Sequence, residues 1–285
     1  MIDFIRYKFF YFGISAVVIA VGIYSIIVWG YNYSIEFTGG AKLSIKTKVD
    51  ETNLRTVFNN NNAKIRKLKV NNNQYQLETD YLTDQQLNNI TTELKKTDKD
   101  TAVISSEIIE ASFSTELKNK MIIASVLAIL VILLYIAVSF KSFLFAVSAV
   151  IAALHDSIIL LGSYSFLSRF FGFEFDSLFL TAVLTTLSFS VHDTIVVFDK
   201  IREYHSLRTS ENLEHAVNKA LTETMVRSLN NSMTIIFVLT SLTIFGGSTI
   251  KHFIVALLIG TISGTYSSPF IATPVFVLLS KIKNR

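Results

Sequence analysis

The sequence predicts an α-helical membrane protein with six transmembrane helices and a small α+β domain between the first and second helices. The first observation is that six segments carry the roughly 20 mostly apolar residues that a spanning helix requires. The second is a long polar stretch after the first of these segments, in which strand and helix patterns alternate. The composition agrees, because 51% of the residues are hydrophobic and only 17% are charged, against about 25% in typical soluble domains.

The first predicted span lies within residues 1–30, where Arg6 and Lys8 precede an apolar run. This run is longer than the core of a usual signal peptide and no cleavage site follows it, so we expect a retained anchor. Residues 120–285 should form the rest of the membrane region, with spans at 120–140, 143–166, 177–198, 225–246 and 252–279. The loop at 199–224 has apolar residues at helical spacing, which indicates a short amphipathic helix on the membrane surface or under the bundle.

The polar stretch at 31–119 is predicted to be a separate small domain. Strand patterns alternate with helix patterns at 41–47, 50–60, 63–70, 74–79, 83–96 and 101–110. Asp50 stands at the expected start of the first helix, and Thr83 or Asp84 at the start of the second. The order βαββαβ is that of a ferredoxin-like domain. No cluster of acidic residues and histidines and no phosphate-binding loop occurs in it, so we expect a binding or interaction module.

The Lys and Arg residues of the short loops predict how the chain is oriented in the membrane. One side collects Arg6, Lys8, Lys141, Lys200, Arg202, Arg208, Lys219, Arg227, Lys281, Lys283 and Arg285. The other short loops hold Arg169 and Lys251. The basic side should be cytosolic, which places both termini in the cytosol and makes the 31–119 domain extracytoplasmic. The net charge of +4 is then explained by loops that face anionic lipid, and no nucleic-acid partner is expected.

Asp193 is an ionisable residue within the apolar part of the fourth span. Charged groups inside a membrane are costly, and they commonly belong to ion pathways. Arg227, near the start of the fifth span, is the predicted partner. The residues leave three interpretations open: a proton relay of Asp193 and Arg227, a static ion pair between two helices, and a position at the level of the lipid headgroups. His192 adjoins Asp193 but need not share its helix face.

His155 and Asp156 form a second polar pair, within the third span. A hydrogen-bonded contact between helices is the simplest interpretation, although both residues could modulate an ion pathway. A metal site is not expected, since these residues lack metal-ligand spacing. The hydroxyl residues of the fourth span could line a hydrated path or allow close helix packing: Thr181, Thr185, Thr186, Ser188 and Ser190.

Three glycine motifs have structural interpretations. Gly260 and Gly264 have the G-x-x-x-G spacing of a helix-packing face. Gly39 and Gly40 give the backbone the freedom of a turn and are the expected hinge between the first helix and the outer domain. The FGG at 245–247 similarly ends the fifth span. The chain has no Cys, and no nucleophile–base pair or nucleotide loop is evident, so neither an enzyme nor a cofactor is predicted.

Several motifs together resemble the SecF family of bacterial protein export, part of the RND superfamily. They are SIEFTGG at 34–40, LLYIAVSFKSFLFAVSAVIAALHD at 133–156, SVHDTIVVFDKIRE at 190–203, FGG at 245–247 and IGTISGTYSSPFIATP at 259–274. The resemblance covers essentially the whole chain and implies half of an RND-type helix bundle. It places the family's membrane aspartate at Asp193 and its arginine at Arg227. His192 stands where the family usually has Asn, and Glu36 where Asp is usual.

The resemblance implies a function in the bacterial cytoplasmic membrane. Together with SecD, such a subunit uses the proton-motive force, or a sodium gradient, to promote translocation and release of preproteins on the outer side. Implied partners are SecD, the SecYEG translocon, the translocating preprotein and membrane lipid, with YajC and YidC as further candidates. Two alternatives stay open: a component of a small-molecule RND-type exporter, and a purely structural stabiliser of SecD without ion coupling.

Overall fold

The computed structural model describes residues 3–71, 74–140, 142–207 and 213–283. Lys141, Arg208 and Arg285, which entered the orientation argument, lie outside these residues. The elements in chain order are α1 Lys8–Trp29, β1 Asn32–Tyr33, α2 Ile35–Thr38, β2 Gly40–Lys46, α3 Glu51–Asn60, β3 Ile65–Asn71, β4 Gln74–Thr79, α4 Asp84–Thr97, β5 Ala102–Ile109, α5 Ala111–Ser139, α6 Phe143–Phe171, β6 Glu174–Phe175, α7 Ser177–Leu207, α8 Leu213–Phe245, α9 Ser248–Ser267 and α10 Thr273–Lys283. A 3₁₀ turn, Ile5–Tyr7, precedes α1, and a π-helical turn, Ser268–Ala272, joins α9 to α10.

The chain divides into two compact units. A membrane unit comprises Met1–Asn32 and Ala124–Arg285, and a small domain comprises Tyr33–Ile123. Six helical stretches in the described residues are long and apolar enough to cross a membrane: Ile5–Trp29, Ala111–Ser139, Phe143–Phe171, Ser177–Tyr204, Leu213–Phe245 and Ile250–Lys283. The predicted fold class, a six-span helical protein with an α+β region between its first two spans, is confirmed.

The fourth and fifth spans are longer than the sequence pattern predicts. Helix α7 continues to Leu207, and α8 begins at Leu213, so the amphipathic segment assigned to a separate loop helix is the first part of α8. Residues 208–212 of that loop lie outside the described residues. Val217, Ala220 and Leu221 are almost fully buried in the largest apolar core of the membrane unit. No Gly or Pro occurs between Leu213 and Phe245, so nothing interrupts the helix there.

The small domain has a four-stranded antiparallel sheet in the order β3-β4-β2-β5. This order, together with the sequence βαββαβ, is the ferredoxin-like arrangement that was predicted. Both helices bury apolar side chains against the sheet, among them Leu54, Phe58, Ile90 and Leu94, which are at most 1% exposed. Thr83 starts α4 in a capping box, in which its hydroxyl accepts from Gln86 N–H and Gln86 accepts from Thr83 N–H.

Gly39 and Gly40 follow the short helix α2 and adopt backbone conformations that favour glycine, with φ of 68° and 129°. A Cβ atom on Gly40 would lie 2.4 Å from the carbonyl oxygen of Thr79 on the neighbouring strand. The two glycines therefore allow the chain to leave α2 and enter β2 at a close strand contact. Their role as a hinge stays a prediction.

Small residues set the distance between α9 and α7 in the membrane unit. A Cβ on Gly260 would lie 2.2 Å from Cγ2 of Thr186, and a Cβ on Gly264 would lie 3.3 Å from Cα of Ser190. Glycine lets two helix backbones approach closely, as in the G-x-x-x-G packing of membrane helices. The same approach brings the polar residues of α7 and α9 together, and these residues form the candidate site.

Candidate functional site

Asp193 on α7 meets a hydroxyl of α8. Ser228 Oγ donates a hydrogen bond to Asp193 Oδ1 at 2.5 Å. The other carboxyl oxygen, Oδ2, is buried and has no hydrogen-bond partner among the described residues. A buried oxygen without a donor carries a desolvation cost, so it is a natural point for a cation or a proton to bind.

A small cavity of about 30 Å³ lies beside the Asp193 side chain. Its polar lining comes from α8 and α9: Asn231, Ser232, Thr261 and Thr265. A cavity needs about 10–15 Å³ by the same kind of measure to hold one water molecule, so this one is large enough. Carboxylate, amide and hydroxyl oxygens suit a hard cation, water or hydronium. The pocket can therefore hold a single small polar species against the carboxylate.

The predicted ion pair between Asp193 and Arg227 is not formed. Arg227 is exposed, and no ion pair joins it to Asp193 in the described part of the chain. Successive residues of a helix point about 100° apart, so when Ser228 faces α7 its neighbour Arg227 turns away. The sequence argument chose the right turn of α8 but the wrong side chain for the contact. A role of Arg227 at another stage of an ion cycle stays a prediction.

His192 lies on the exposed side of α7 and lines two hollows. One is the cavity beside Asp193, and the other is a more open hollow of about 210 Å³ between α5 and α7, which Ile132, Tyr135, Ser188 and Val191 also line. The imidazole is thus next to the space that Asp193 faces, although the structure gives it no bond to the carboxylate. Its role as a modulator stays a prediction.

Asp156 on α6 is the centre of a second polar cluster. Its carboxylate receives hydrogen bonds from Ser190 of α7 at 2.5 Å, and from Ser263 and Ser267 of α9 at 2.6 and 2.5 Å. His155 Nδ1 lies 2.9 Å from Asp156 Oδ1. Asp156 is 5% exposed. The interhelical hydrogen-bonded contact expected of this pair is present in this arrangement.

Sequence reasoning did not single out Ser263 and Ser267 as partners of Asp156. The signal that could have found them is their spacing of four residues, which places both on one face of α9. Gly260 and Gly264 have the same spacing three positions earlier, so the glycine contact and the serine contact occupy neighbouring stripes of the helix. Ser190 was noticed only as one of several hydroxyl residues of the fourth span.

The two carboxylates are linked through the π-helical turn. Thr194, next to Asp193, contacts the hydroxyl of Ser268 at 3.0 Å, and Ser268 follows Ser267, which binds Asp156. π-Helical turns inside α-helices are frequent at functional sites. Asp156 and Asp193 are therefore joined by α7 on one side and by the Ser267–Ser268 step on the other.

The remaining hydroxyl residues of the fourth span have mixed surroundings. Thr181 is exposed and Thr185 is half-buried, and both donate to carbonyls of their own helix, at 3.0 and 2.8 Å. Thr186 and Ser190 are buried against the two glycines of α9. Close helix packing thus explains the positions of Thr186 and Ser190. A hydrated path along the helix stays a prediction.

This architecture defines a polytopic membrane protein with an inserted ferredoxin-like domain and a polar cluster shared by α6, α7, α8 and α9. The family described as "Protein export membrane protein SecD/SecF, C-terminal" matches residues 89–282. The protein translocase subunit SecF of Thermobaculum terrenum is 36% identical, over 97% of this chain and 93% of its own. SecF of Sebaldella termitidis is 33% identical, over 96% of this chain and 90% of its own.

Solved structures agree with the sequence relatives. The translocon-associated membrane protein SecDF of Thermus thermophilus superposes with a TM-score of 0.83 at 27% identity, and it covers the whole chain. A SecDF structure in a "super-membrane-facing form" gives a TM-score of 0.66 at 25% identity over 99% of the chain. The chain spans 39% of the length of each of these SecDF chains. It belongs to the SecD/SecF family, as a SecF subunit of the Sec translocase.

Proposed function

We propose that the chain uses a proton or sodium gradient to promote preprotein translocation, and that Asp193 binds and releases the coupling ion. One observation carries this proposal: Asp193 presents a buried, unpartnered oxygen within an apolar helix, beside a cavity of about 30 Å³. The cavity suits one small cation or water. A residue with only a structural role would be expected to have both carboxyl oxygens satisfied, as Asp156 has.

Arg227 is proposed to act in the same cycle, although it does not touch Asp193 in this structure. It adjoins Ser228, which does touch Asp193, so a rotation of α8 by about 100° around its axis would exchange the two side chains. In that arrangement the guanidinium would neutralise the carboxylate after the ion has left. Replacing Arg227 by Gln should reduce gradient-dependent export while Lys retains part of it; equal export by both variants and the unaltered protein would reject this role.

Association with a SecD-type partner is proposed from the surface of α7 and α8. His192, Arg227, Asn230 and Asn231 are exposed on the membrane unit. Polar groups facing lipid are unfavourable, whereas polar contacts between membrane helices are common. A second membrane subunit would cover these side chains and close the cavity beside Asp193. The SecDF name of the two solved chains, and their greater length, support the same partner.

The other partners and the orientation are also proposals. SecYEG, the preprotein and lipid follow from the family, with YajC and YidC as further candidates. The small domain is proposed to face outward, with both termini cytosolic. Since the chain has no Cys, single cysteines can test this. Asn88→Cys should react with an impermeant reagent from outside and Ile282→Cys only from inside; the reverse pattern would overturn the orientation.

The decisive experiment is reconstituted export with the translocon and the cognate SecD. Asp193→Asn should abolish the stimulation of export by an ion gradient and leave gradient-independent export unchanged. Asp199→Asn is the matched control, because Asp199 is an exposed residue of the same helix that pairs with Arg202 at 2.9 Å. If Asp193→Asn keeps full stimulation while removal of the chain abolishes it, the chain is a structural stabiliser of SecD. The family match leaves no observation in favour of a small-molecule exporter.

A further inference from the structure

Helices α7 and α10 end, and α6 and α8 begin, at the same end of the membrane unit. Four basic side chains lie there, so we call it the basic end: Lys200, Arg202, Lys281 and Lys283. An ion pair at 2.6 Å joins Lys281 of α10 to Glu214 of α8 across this end. Asp193 precedes Lys200 by seven residues on α7, which places its Cα about 10 Å away along the helix axis.

The cavity of about 30 Å³ beside Asp193 extends from the carboxylate away from the basic end. Helix α8 runs away from that end, and its lining residues come after Ser228, the residue that contacts Asp193: Asn231, Ser232 and Ile235. Helix α9 runs toward that end, and its lining residues come before the π-helical turn: Thr261, Gly264 and Thr265. Space for an ion is therefore found on one side of Asp193, the side remote from the basic end.

The same cavity reaches the surface of the membrane unit. Phe189, His192 and Asn231 line it and are exposed. The larger hollow of about 210 Å³ shares His192, and its other lining residues on α7 are Ser188 and Val191, which also precede Asp193. A small ion in these hollows can reach Asp193 without passing the basic end.

On the other side of Asp193, four phenylalanines from different parts of the membrane unit pack together. They are at most 8% exposed, and we call them the phenylalanine layer: Phe140 just after α5, Phe145 of α6, Phe198 of α7 and Phe276 of α10. The rings of Phe145 and Phe276 stack with centroids 4.1 Å apart. Phe198 lies 4.9 Å from Phe145 and 5.5 Å from Phe140. Phe198 follows Asp193 by five residues, so the layer lies between the carboxylate and the basic end.

The residues around the phenylalanine layer are unsuited to an ion. Small and branched apolar side chains pack against it, each at most 2% exposed: Ala149, Ala152, Val197, Ile201 and Ala272. Two buried hydroxyls nearby, those of Ser148 and Thr273, donate to carbonyls of the same helical stretch at 2.7 and 3.0 Å. An ion among apolar groups loses its hydration without compensation, and apolar constrictions stop ions by excluding water. The layer therefore separates Asp193 from the basic end.

We propose that the phenylalanine layer is the gate of the ion path on the basic side of Asp193, and that it is closed in this structure while Asp193 is open on its other side. The ion reaches Asp193 through the two hollows and passes toward the basic end when the layer parts. Helix α7 carries both Asp193 and Phe198, so one movement of this helix alters the carboxylate contact and the ring contacts together. The gate rests on the function proposed for Asp193, since it controls the path of the same ion.

Passive ion leak through the reconstituted complex tests the gate. Proteoliposomes that contain the chain and its cognate SecD are given a proton or sodium gradient without preprotein, and the decay of the gradient is followed. Phe198→Ala removes a ring from the layer and should make the gradient decay faster than in the unaltered complex. Phe198→Leu keeps most of the volume and should leak less. Decay at the unaltered rate in both Phe198→Ala and Phe145→Ala would overturn the proposal.

Phe179→Ala is the matched control for lost packing. Phe179 is on the same helix and fully buried, and its ring stacks on Tyr164 with centroids 3.7 Å apart. It lies near the start of α7, remote from the basic end. The melting temperature in detergent should fall in Phe179→Ala as in Phe198→Ala, but the gradient should decay at the unaltered rate. Equal leak in these two variants would assign it to general loosening of the bundle and reject the gate.

Thiol labelling tests the gate without a flux measurement. Ala149 is 1% exposed and lies about one turn beyond Phe145, on the side of the layer remote from the basic end. In this Cys-free chain, Ala149→Cys should be protected from an impermeant methanethiosulfonate reagent applied at the basic end. Adding Phe198→Ala should make it react from that end. Protection that persists after this change, or reaction without it, would contradict the gate.

The gate and the function proposed for Asp193 fail in different ways. If Asp193→Asn abolishes gradient-dependent export while Phe198→Ala shows no leak and no new labelling, the gate alone is rejected. If Asp193→Asn leaves export unaffected, the function proposed for Asp193 is rejected. Leak and labelling in Phe198→Ala would then still identify the layer as the ion barrier of the membrane unit.

Discussion

Ser228 of the next transmembrane helix donates a hydrogen bond to Oδ1 of Asp193 at 2.5 Å. The contact joins α7 to α8 beside the cavity that Asp193 lines, and the buried Oδ2 is left without a hydrogen-bond partner among the described residues. A change in the position of α8 would therefore alter the distance between Ser228 Oγ and Asp193 Oδ1. If Asp193 binds the coupling ion as proposed, a hydroxyl and a carboxylate would set the ion affinity, while the arginine of the same turn is exposed.

Removing the Ser228 hydroxyl should weaken gradient-dependent export. Hydrogen bonds to charged groups contribute about 1.5–3 kcal/mol, so Ser228→Ala is expected to change the ion affinity of Asp193 about tenfold or more. Ser228→Thr keeps the hydroxyl and should retain most activity. The measurement is export stimulation as a function of ion concentration. An unchanged dependence in Ser228→Ala would show that the contact has no part in coupling. Thr234→Ala is the control, since Thr234 donates to its own helix.

Gly260→Ala should destabilise the contact between α7 and α9. The added Cβ would meet Cγ2 of Thr186 at 2.2 Å, and overpacking of this kind typically costs about 1–3 kcal/mol. The melting temperature in detergent should fall, and Thr186→Gly in the same chain should recover part of the loss. Gly247→Ala is the control, because nothing lies within 4 Å of the added atom. Equal melting temperatures for Gly260→Ala and Gly247→Ala would mean that the two helices are not tightly packed there.

Asp98 should make the small domain sensitive to acid. Its carboxylate accepts from Lys48 N–H at 2.8 Å and from Thr47 Oγ1 at 3.1 Å. These hydrogen bonds hold the pKa of Asp98 below its ordinary value of 3.8, and the bond from the Lys48 N–H has the largest effect. Since the folded pKa is depressed, the stabilisation is complete above about pH 4 and is lost as the pH falls through the folded pKa.

Hydrogen exchange of the Lys48 amide measures this effect in the full chain. After correction for the intrinsic rate, exchange should accelerate below about pH 4 in the unaltered protein. Asp98→Asn should exchange faster at neutral pH and lose this acid dependence. The same acid dependence in both proteins would assign it to another group.

The sequence predicted the fold well because its signals are local. Hydrophobic runs, strand alternation and the Thr83 cap each depend on neighbouring residues, and they gave the six spans and the βαββαβ order. The predicted fourth span ended too early and the predicted fifth span began too late. The stripe from Leu213 to Leu221 has the pattern of a surface helix, so it was not assigned to the fifth span. Its burial depends on packing against distant helices, which a local pattern does not contain.

The candidate site was predicted only in part, for a geometric reason. Asp193 and Asp156 could be identified because a carboxylate within an apolar run is recognisable from the sequence alone. Their partners depend on which face of the next helix turns inward, and one residue of rotation exchanges Arg227 for Ser228. Ser263 and Ser267 are ordinary small residues in a membrane helix, so only the position of Asp156 in space shows that they bind it.

Ion flux measured on the reconstituted complex tests the central claim most directly. Proteoliposomes containing the chain and its cognate SecD would be given an ion gradient, and uptake of protons or sodium would be followed with an indicator dye. Flux should be lost in Asp193→Asn and retained in the control Asp199→Asn. Undiminished flux in Asp193→Asn would contradict the assignment of Asp193 as the residue that binds and releases the coupling ion.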